Sequence, residues 1–219
     1  MALKEDSAVD RTDALIRQLG EEVKSRRARG PSVGAVTAVA VPTSMLAAAA
    51  VVLLTAGARA DLAGIVTTWT FQFKLIAMIL IGGGALHLFK TSAQPGIRMR
   101  PAICLTPGGV FLLAGVFLDQ SGLPLMGLRV SSVPTCVGTI FLASMPALAI
   151  LFVALRRGVP TALTKAGAIC GMLAGSIGAA VYTIACINDG ATFVGIWYCI
   201  AIALVAALGA AVGPILLRW

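Results

Sequence analysis

Six long apolar runs constrain this chain more than any other feature. A helix that crosses a lipid bilayer needs about 20 largely apolar residues. The six candidate runs, of which the third is short and the last is long, cover Val33 to Ala56, Phe71 to Leu88, Ala102 to Leu118, Thr135 to Leu155, Lys165 to Ala185 and Phe193 to Leu217. Since 58% of the 219 residues are hydrophobic and only 12% are charged, a water-soluble domain is excluded. Backbone groups in hydrocarbon must be satisfied within their own segment, so we expect an all-α integral membrane protein with a six-transmembrane-helix bundle.

The positions of the basic residues predict how these helices are oriented. Fourteen of the 17 lysine and arginine residues precede the first run, follow the last, or lie in the second-to-third connection or the fourth-to-fifth connection up to and including Lys165. Basic connections stay on the cytoplasmic side of a membrane. We therefore expect a multi-pass protein of a bacterial inner membrane with both termini in the cytoplasm. The same asymmetry accounts for the net charge of +8, so direct contact with nucleic acid is not expected.

The first 32 residues form a polar segment, and we expect a boundary there between a cytoplasmic segment, 1–32, and a transmembrane domain, 33–219. The segment contains a short amphipathic helix with one apolar stripe. A solitary helix of this length is marginal in water. Two interpretations remain: the helix lies on the lipid surface, which the basic cluster at 26–29 favours, or it docks in a groove of a cytoplasmic protein. The stripe consists of Leu15, Ile16, Leu19 and Val23.

A short polar break, YTIACINDGATFVGIWY at residues 182–198, separates the last two apolar runs. Asn188, Asp189 and Gly190 are turn formers, so the break predicts a tight hairpin at the outer face. Cys186 lies in this hairpin and Cys136 lies at the outer end of the fourth run. The residues alone leave open whether this pair has a redox role, binds a soft metal ion or only fills space. The other three cysteines, at 104, 170 and 199, are expected to be apolar fillers.

Two further ionisable residues lie in the apolar runs. Lys74 is within one turn of the outer end of the second run, where its side chain can extend to the lipid headgroups, and we favour that over an ion path. His87 is the only histidine, and no other metal ligand is near it in sequence. The chain contains no phosphate-binding or zinc-binding motif and no nucleophile paired with a base. We therefore expect neither an enzyme nor a cofactor.

Several short patterns resemble those of one family. They are R-R-G-x-P-T at 156–161, A-G-x-x-x-G-x-x-A-G at 166–175, a cysteine before an acidic hairpin, F-x-x-x-W-Y at 193–198, the terminal L-L-R-W, and D-x-L-I-x-x-L at 13–19. In these patterns the chain resembles the NrsF-type membrane anti-sigma factors, negative regulators of sigma-F-like extracytoplasmic-function sigma factors.

The resemblance implies six membrane helices, an N-terminal segment that holds the sigma factor inactive, and two outer cysteines that sense redox or heavy-metal stress. Cys136 and Cys186 occupy the cysteine positions, as a disulfide pair, oxidised thiols or ligands of a metal ion. Ala185 stands where family members often have histidine, so a His-Cys metal pair is not expected. The resemblance also favours the partner-binding interpretation of the N-terminal helix. The residues implied to bind the sigma factor are Asp13, Leu15, Ile16, Leu19 and Val23.

A small six-helix transporter or channel is the alternative function. Lys74 and the prolines within the runs support it. Acidic residues are absent from the interiors of the runs, where sites for coupling ions need them, and this opposes it.

Overall fold

The computed structural model describes residues 13–21, 32–94, 100–119, 122, 124–129, 131–158 and 160–218. Within these ranges the regular structure is helical and contains no strand, so the all-α class is confirmed. In chain order the helices are α1 (residues 13–21), α2 (Val33–Thr55), α3 (Leu62–Ile65), α4 (Trp69–Ser92), α5 (Pro101–Phe117), α6 (Ser132–Leu155), α7 (Leu163–Tyr182) and α8 (Ala191–Leu216).

Five of these helices are long and apolar enough to cross a bilayer, namely α2, α4, α6, α7 and α8. Helix α5 corresponds to the third predicted run but has only 17 residues. That length is at the lower limit for a membrane span. The described residues therefore contain five candidate spans and one shorter apolar helix, where the sequence predicts six spans.

Local sequence explains where two of the helices begin. Ser32 precedes α2, and its Oγ accepts a hydrogen bond from the N–H of Ala35 at 3.1 Å, which satisfies one of the free donors of the first turn. Pro101 begins α5, at a position where the missing N–H of proline has no helical partner to lose. Both helices begin within one residue of the predicted apolar run.

The long helices alternate in direction, so their ends meet in two groups. Arg59, which follows α2, contacts Asp189 in the connection between α7 and α8. Lys74, near the start of α4, contacts the same aspartate. Asp119, which follows α5, accepts a hydrogen bond from the N–H of Thr192 at the start of α8. We call this side of the bundle the hairpin end, defined by residues 183–190 and the residues that contact them.

Helix α7 is the most buried of the candidate spans, and its glycines set its distance from α8. A Cβ atom added to Gly171 would lie 2.8 Å from the Cα of Ala206 in α8, closer than any side chain tolerates. Gly167 and Gly175 face α8 in the same way. Such a row of glycines lets two helix backbones touch directly. These three glycines therefore form the contact surface between α7 and α8.

Candidate functional site

The connection between α7 and α8, residues 183–190, forms the predicted hairpin and is tied to two other connections. The Asn188 side chain is buried, and its Oδ1 accepts a hydrogen bond from the N–H of Leu128 at 2.9 Å. The N–H of Arg59 donates to the carbonyl oxygen of Ile184 at 3.1 Å. The buried Asn188 side chain thus supplies a partner for a backbone N–H of the connection between α5 and α6. The hairpin is therefore held by both of its neighbouring connections.

Cys136 and Cys186 meet at this end of the bundle. Cys136 is in the second turn of α6 and is 0% exposed, while Cys186 is in the hairpin and is 1% exposed. Both are free thiols, and their sulfur atoms are close enough to share a hydrogen bond. When it is protonated, the Cys186 thiol also donates to the carbonyl oxygen of Asn188 at 3.7 Å. The structure thus brings together the two cysteines that the sequence could only place at the same membrane face.

The described residues offer this thiol pair no further ligand of the usual metal-binding types. No group of three or more histidine, cysteine, aspartate or glutamate side chains occurs in the part of the chain that the structure describes. Cys170 is buried within α7, and Cys104 and Cys199 are half-buried on α5 and α8. Two adjacent thiols can form a disulfide or hold a soft cation between them. The pair has the donor set for either chemistry.

Lys74 lies beside the thiol pair and is completely buried. Its Nζ donates to Oδ1 of Asp189 at 2.6 Å and to the carbonyl oxygen of Cys186 at 3.4 Å. The sequence favoured a side chain extended to the lipid headgroups. The structure differs because this face of α4 is turned toward the hairpin, so the ammonium group finds its counter-charge inside the protein.

Arg59 joins the hairpin to the connection after α2. Its guanidinium donates to both carboxylate oxygens of Asp189 at 3.1 and 3.3 Å, and to the carbonyl oxygen of Cys186 at 3.0 Å. On its other side it makes a two-pronged contact with Asp61 at 2.7 and 2.8 Å. These hydrogen bonds from Arg59 hold the pKa of Asp61 below its ordinary value, and Asp61 raises the pKa of Arg59. The charged groups of the two connections therefore form one network.

Sequence reasoning missed this ion-pair network. Beyond the N-terminal segment the chain has only three acidic residues, and all of them lie in predicted outer connections, at the face where Arg59 and Lys74 are also predicted. Charges that are so scarce in an apolar protein are expected to pair with one another. The small number of acidic residues was therefore the sequence signal that could have predicted the ion-pair network. The three residues are Asp61, Asp119 and Asp189.

The electrostatic surroundings make the two thiols unequal. A hydrogen bond from the Cys136 thiol, the nearby charge of Lys74 and the backbone of Asn188 lower the pKa of Cys186, although burial acts in the opposite direction. Cys186 is therefore the member of the pair that loses its proton first. Cys136 is the hydrogen-bond donor to it.

Tyr198 closes the site from α8. Residues Val194–Tyr198 form a π-helical turn, a feature that is often found at functional sites. The Tyr198 side chain is 0% exposed, and its hydroxyl, which lies near Cys186, makes no hydrogen bond of ordinary geometry with the described residues. Its ring lies 6.1 Å from that of Tyr182. A buried hydroxyl without a partner is rare, and it leaves a donor available beside the sulfur.

A cavity of about 620 Å³ adjoins the ion-pair network between α4, α5 and the start of α8. Asp119 and Asp189 are among its lining residues, and Thr192 donates to Asp119 through both its N–H and its hydroxyl at 2.7 Å. Phe73 and Phe111 are stacked in its wall with ring centroids 5.2 Å apart. The cavity therefore lies directly beside the hairpin.

The residues that were predicted to bind a partner lie elsewhere. Asp13 begins α1, and the Leu15, Ile16 and Leu19 side chains are 55, 61 and 52% exposed on it. Val23 lies outside the described residues. Every described residue of α1 is exposed, so its apolar stripe is not covered by the rest of the described chain.

Comparison with known proteins identifies the family. Residues 23–219 match the sequence model of the family described as NrsF, negative regulator of sigma F. A probable anti-sigma-F factor NrsF of Azospira oryzae is 35% identical over 85 residues, which are 39% of this chain and 40% of that relative. The anti-sigma-F factor NrsF of Caulobacter vibrioides is 28% identical over 217 residues, 95% of this chain and 100% of that relative. No solved structure shows a significant match. Since the family match covers most of the chain, the chain belongs to the NrsF family of negative regulators of sigma F.

Proposed function

We propose that this chain is a membrane-bound anti-sigma factor. It sequesters a sigma-F-like extracytoplasmic-function sigma factor through the stripe on α1, and a change at the outer thiol pair releases that factor. The family is regulatory rather than enzymatic, and both relatives above are named as anti-sigma-F factors. The observation that carries the proposal is the exposure of Leu15, Ile16 and Leu19, each more than half exposed on one helix.

The proposed topology has six membrane crossings. Helix α5 serves as the third span because 17 residues reach across the hydrocarbon core at the lower end of the observed range. Six alternating crossings bring both termini to the same side, which is the side that holds 14 of the 17 basic residues. Residues 1–32 then lie in the cytoplasm of a bacterium, and the hairpin end faces outward across the inner membrane.

Sequestration at the membrane requires only a short helix. An amphipathic helix that fills a hydrophobic groove is a common way to occupy a partner surface. Attachment to a membrane bundle also raises the effective concentration of the helix for a partner that is already captured. Release requires that the signalled state of the bundle bind the sigma factor less tightly than the resting state, because a signal without differential affinity shifts no equilibrium.

The proposed sensor is the pair Cys136 and Cys186. An oxidant that removes two electrons and two protons from the pair converts it to a disulfide. A soft metal ion displaces the thiol protons and binds both sulfur atoms. Either reaction changes the charge and the sulfur separation at the junction of α6 and the hairpin.

Capture of the sigma factor by the full-length protein in detergent tests the proposal. The wild type should retain a purified sigma-F-like factor, and Leu15→Asp/Leu19→Asp should lose it, because two charges are placed in the apolar contact. The matched control is Ala14→Asp/Gln18→Asp, which adds the same charge to other faces of α1 and should retain capture. If Leu15→Asp/Leu19→Asp captured as much sigma factor as the control, the apolar stripe of α1 would not be the binding surface.

The same assay tests the sensor. Hydrogen peroxide or cadmium(II) should release the sigma factor from the wild type, whereas Cys136→Ser/Cys186→Ser should keep it bound. Cys170→Ser, which removes a buried thiol distant from the hairpin, should release it as the wild type does. Release from the double serine variant would contradict a sensor role for this pair.

A further inference from the structure

The cavity of about 620 Å³ beside the hairpin is lined by one stripe from each of two helices. Trp69 and Phe73 lie four residues apart on α4. Phe111, Gly115 and Leu118 follow one another on α5 at intervals of four and three residues. Residues with these spacings share one face of a helix. The cavity volume lies within the range of roughly 300–1,000 Å³ that is typical of small-molecule sites.

The packing of α4 against α5 fixes the aromatic wall of this cavity. Phe73 is buried, and its ring is stacked on that of Phe111 with centroids 5.2 Å apart. A Cβ atom added at Gly115 would collide with the Phe73 ring, so that ring lies directly against the α5 backbone. Trp69, in contrast, is 68% exposed in the first turn of α4. The cavity thus combines an inner wall of two fixed rings with a third ring on its exposed side.

Two carboxylates lie beside this aromatic wall. Asp119, which follows α5, and Asp189, in the hairpin, both line the cavity, and its described lining residues include no lysine, arginine or histidine. Oδ2 of Asp119 accepts hydrogen bonds from the N–H and the hydroxyl of Thr192, both at 2.7 Å. Thr192 therefore orients this carboxylate without contributing a positive charge. A cleft lined by one sign of charge within apolar walls attracts ligands of the opposite sign.

We propose that this cavity binds a small organic cation with an apolar body, such as a quaternary ammonium compound. The cationic group lies beside Asp119, and the apolar body lies against the rings of Phe73 and Phe111. Asp189 already holds the two cations of the ion-pair network, so Asp119 is the carboxylate that we assign to the ligand. The face of an aromatic ring attracts a cation in addition to covering apolar surface. The inference goes beyond the proposed anti-sigma function and does not depend on it.

Other classes of ligand would use only part of this cavity. A metal ion would use the carboxylates and leave the aromatic wall without a role. An anion would be repelled by both carboxylates. An uncharged lipid or detergent chain would cover the rings but would place no charge opposite Asp119. An organic cation matches both the aromatic wall and the carboxylates.

Equilibrium dialysis of the full-length protein in an uncharged detergent tests the inference, with benzyltrimethylammonium as the probe. Benzenesulfonate, which has a similar aromatic body and the opposite charge, is the matched ligand control. We expect saturable binding of one benzyltrimethylammonium ion per chain and no saturable binding of benzenesulfonate. The bound cation should also raise the unfolding temperature, because it binds the folded state.

Three variants and a control locate the binding site. Asp119→Asn removes the charge, keeps an oxygen acceptor for Thr192 and should weaken binding of the cation about tenfold or more. Phe111→Leu keeps an apolar side chain without the ring and should weaken binding about threefold. Ala114→Phe fills the cavity from an exposed lining position and should abolish binding. Asp61→Asn removes a carboxylate that is 63% exposed and is not among the lining residues, so binding should be unchanged.

The proposal is overturned if the wild type shows no saturable binding of benzyltrimethylammonium, or if Asp119→Asn binds it as tightly as Asp61→Asn does. Equal binding of both probes would assign the cavity to apolar molecules of any charge, such as a lipid or detergent, and would also overturn it. If Asp119→Asn does not fold, Ala114→Phe decides, because full binding by that variant would place the ligand elsewhere. Capture of the sigma factor does not enter these measurements, so their failure leaves the proposed function standing.

Discussion

Helix α1 and the hairpin end differ in which side chains they expose and which they bury. On α1, apolar side chains are exposed and the charged residues are solvated, so the helix buries no side chain against the rest of the described chain. At the hairpin end, Lys74 and Arg59 have side chains that are 0 and 5% exposed and are held by carboxylates. An uncovered apolar face gives affinity for something outside the chain. A buried and paired charge instead affects the stability of the chain's own fold. The two regions should therefore fail in different assays.

The largest effect should follow from Asp189→Ala. This change leaves Lys74 buried without its carboxylate, and breaking a buried pair from one side costs about 3 kcal/mol. Thermal unfolding in detergent, followed by circular dichroism, should show a lower transition temperature, while sigma capture by the folded fraction persists. Leu15→Asp/Leu19→Asp should show the reverse, with capture lost and the transition unchanged. A loss of both properties in either variant would mean that the two regions are not separable.

A smaller loss is expected from Asn188→Ala. The Asn188 side chain is buried and accepts the hydrogen bond of the Leu128 N–H, so its removal leaves a backbone donor without a partner and should cost about 1–2 kcal/mol. Gln18→Ala on the exposed α1 is the matched control and should change stability by less than about 0.5 kcal/mol. Equal unfolding temperatures for the two variants would show that the hairpin is not held by this bond.

The pH dependence of stability should also distinguish the regions. Because the folded state lowers the pKa of Cys186, its thiolate stabilises the fold fully above the ordinary thiol value of about 8.5, and this contribution is lost as pH falls through the lowered pKa. The unfolding temperature of the wild type should therefore rise with pH across that interval. Cys186→Ser should remove this rise, and the α1 stripe variant should keep it. A rise that persists in Cys186→Ser would assign the titration to another group.

The smallest effect should come from Asp61→Asn. The Asp61 side chain is 63% exposed, and an ion pair at such a position is weak in water. Arg59 keeps Asp189 as a partner after the change. The unfolding temperature should fall far less than in Asp189→Ala, and added salt should reduce the difference further. A loss equal to that of Asp189→Ala would show that the network depends on its exposed edge.

Much of the fold followed from patterns that are local in the sequence. The apolar runs predicted the long helices to within a few residues. Helix α5 marks the limit of this approach, because 17 residues lie where composition no longer separates a span from a shorter apolar helix.

The site was only half predictable, for a physical reason. Cys136 and Cys186 could be placed at one face by counting spans, but their contact depends on the packing of α6 against the hairpin. Lys74 was placed near the start of its helix, but its direction depends on the rotation of α4 about its axis. The contact between Arg59 and Asp189 joins residues 130 positions apart. Neither the rotation of a helix about its axis nor a contact between residues far apart in the chain produces a periodic pattern in a single sequence.

The backbone contact between α7 and α8 has a mechanical consequence. Because Gly171 leaves no room for closer approach to Ala206, α7 and α8 are held at a fixed separation. We call these two helices and the hairpin that joins them the fork. Cys186 is carried at the closed end of this fork, and Cys136 belongs to α6, outside it. If the pair acts as the proposed sensor, a change in the distance between the two sulfur atoms would be a change in the position of α6 relative to the fork or of the hairpin itself. The other end of α6 continues into residues 156–158, so a movement of α6 as a whole would reach the side of the bundle opposite the hairpin end.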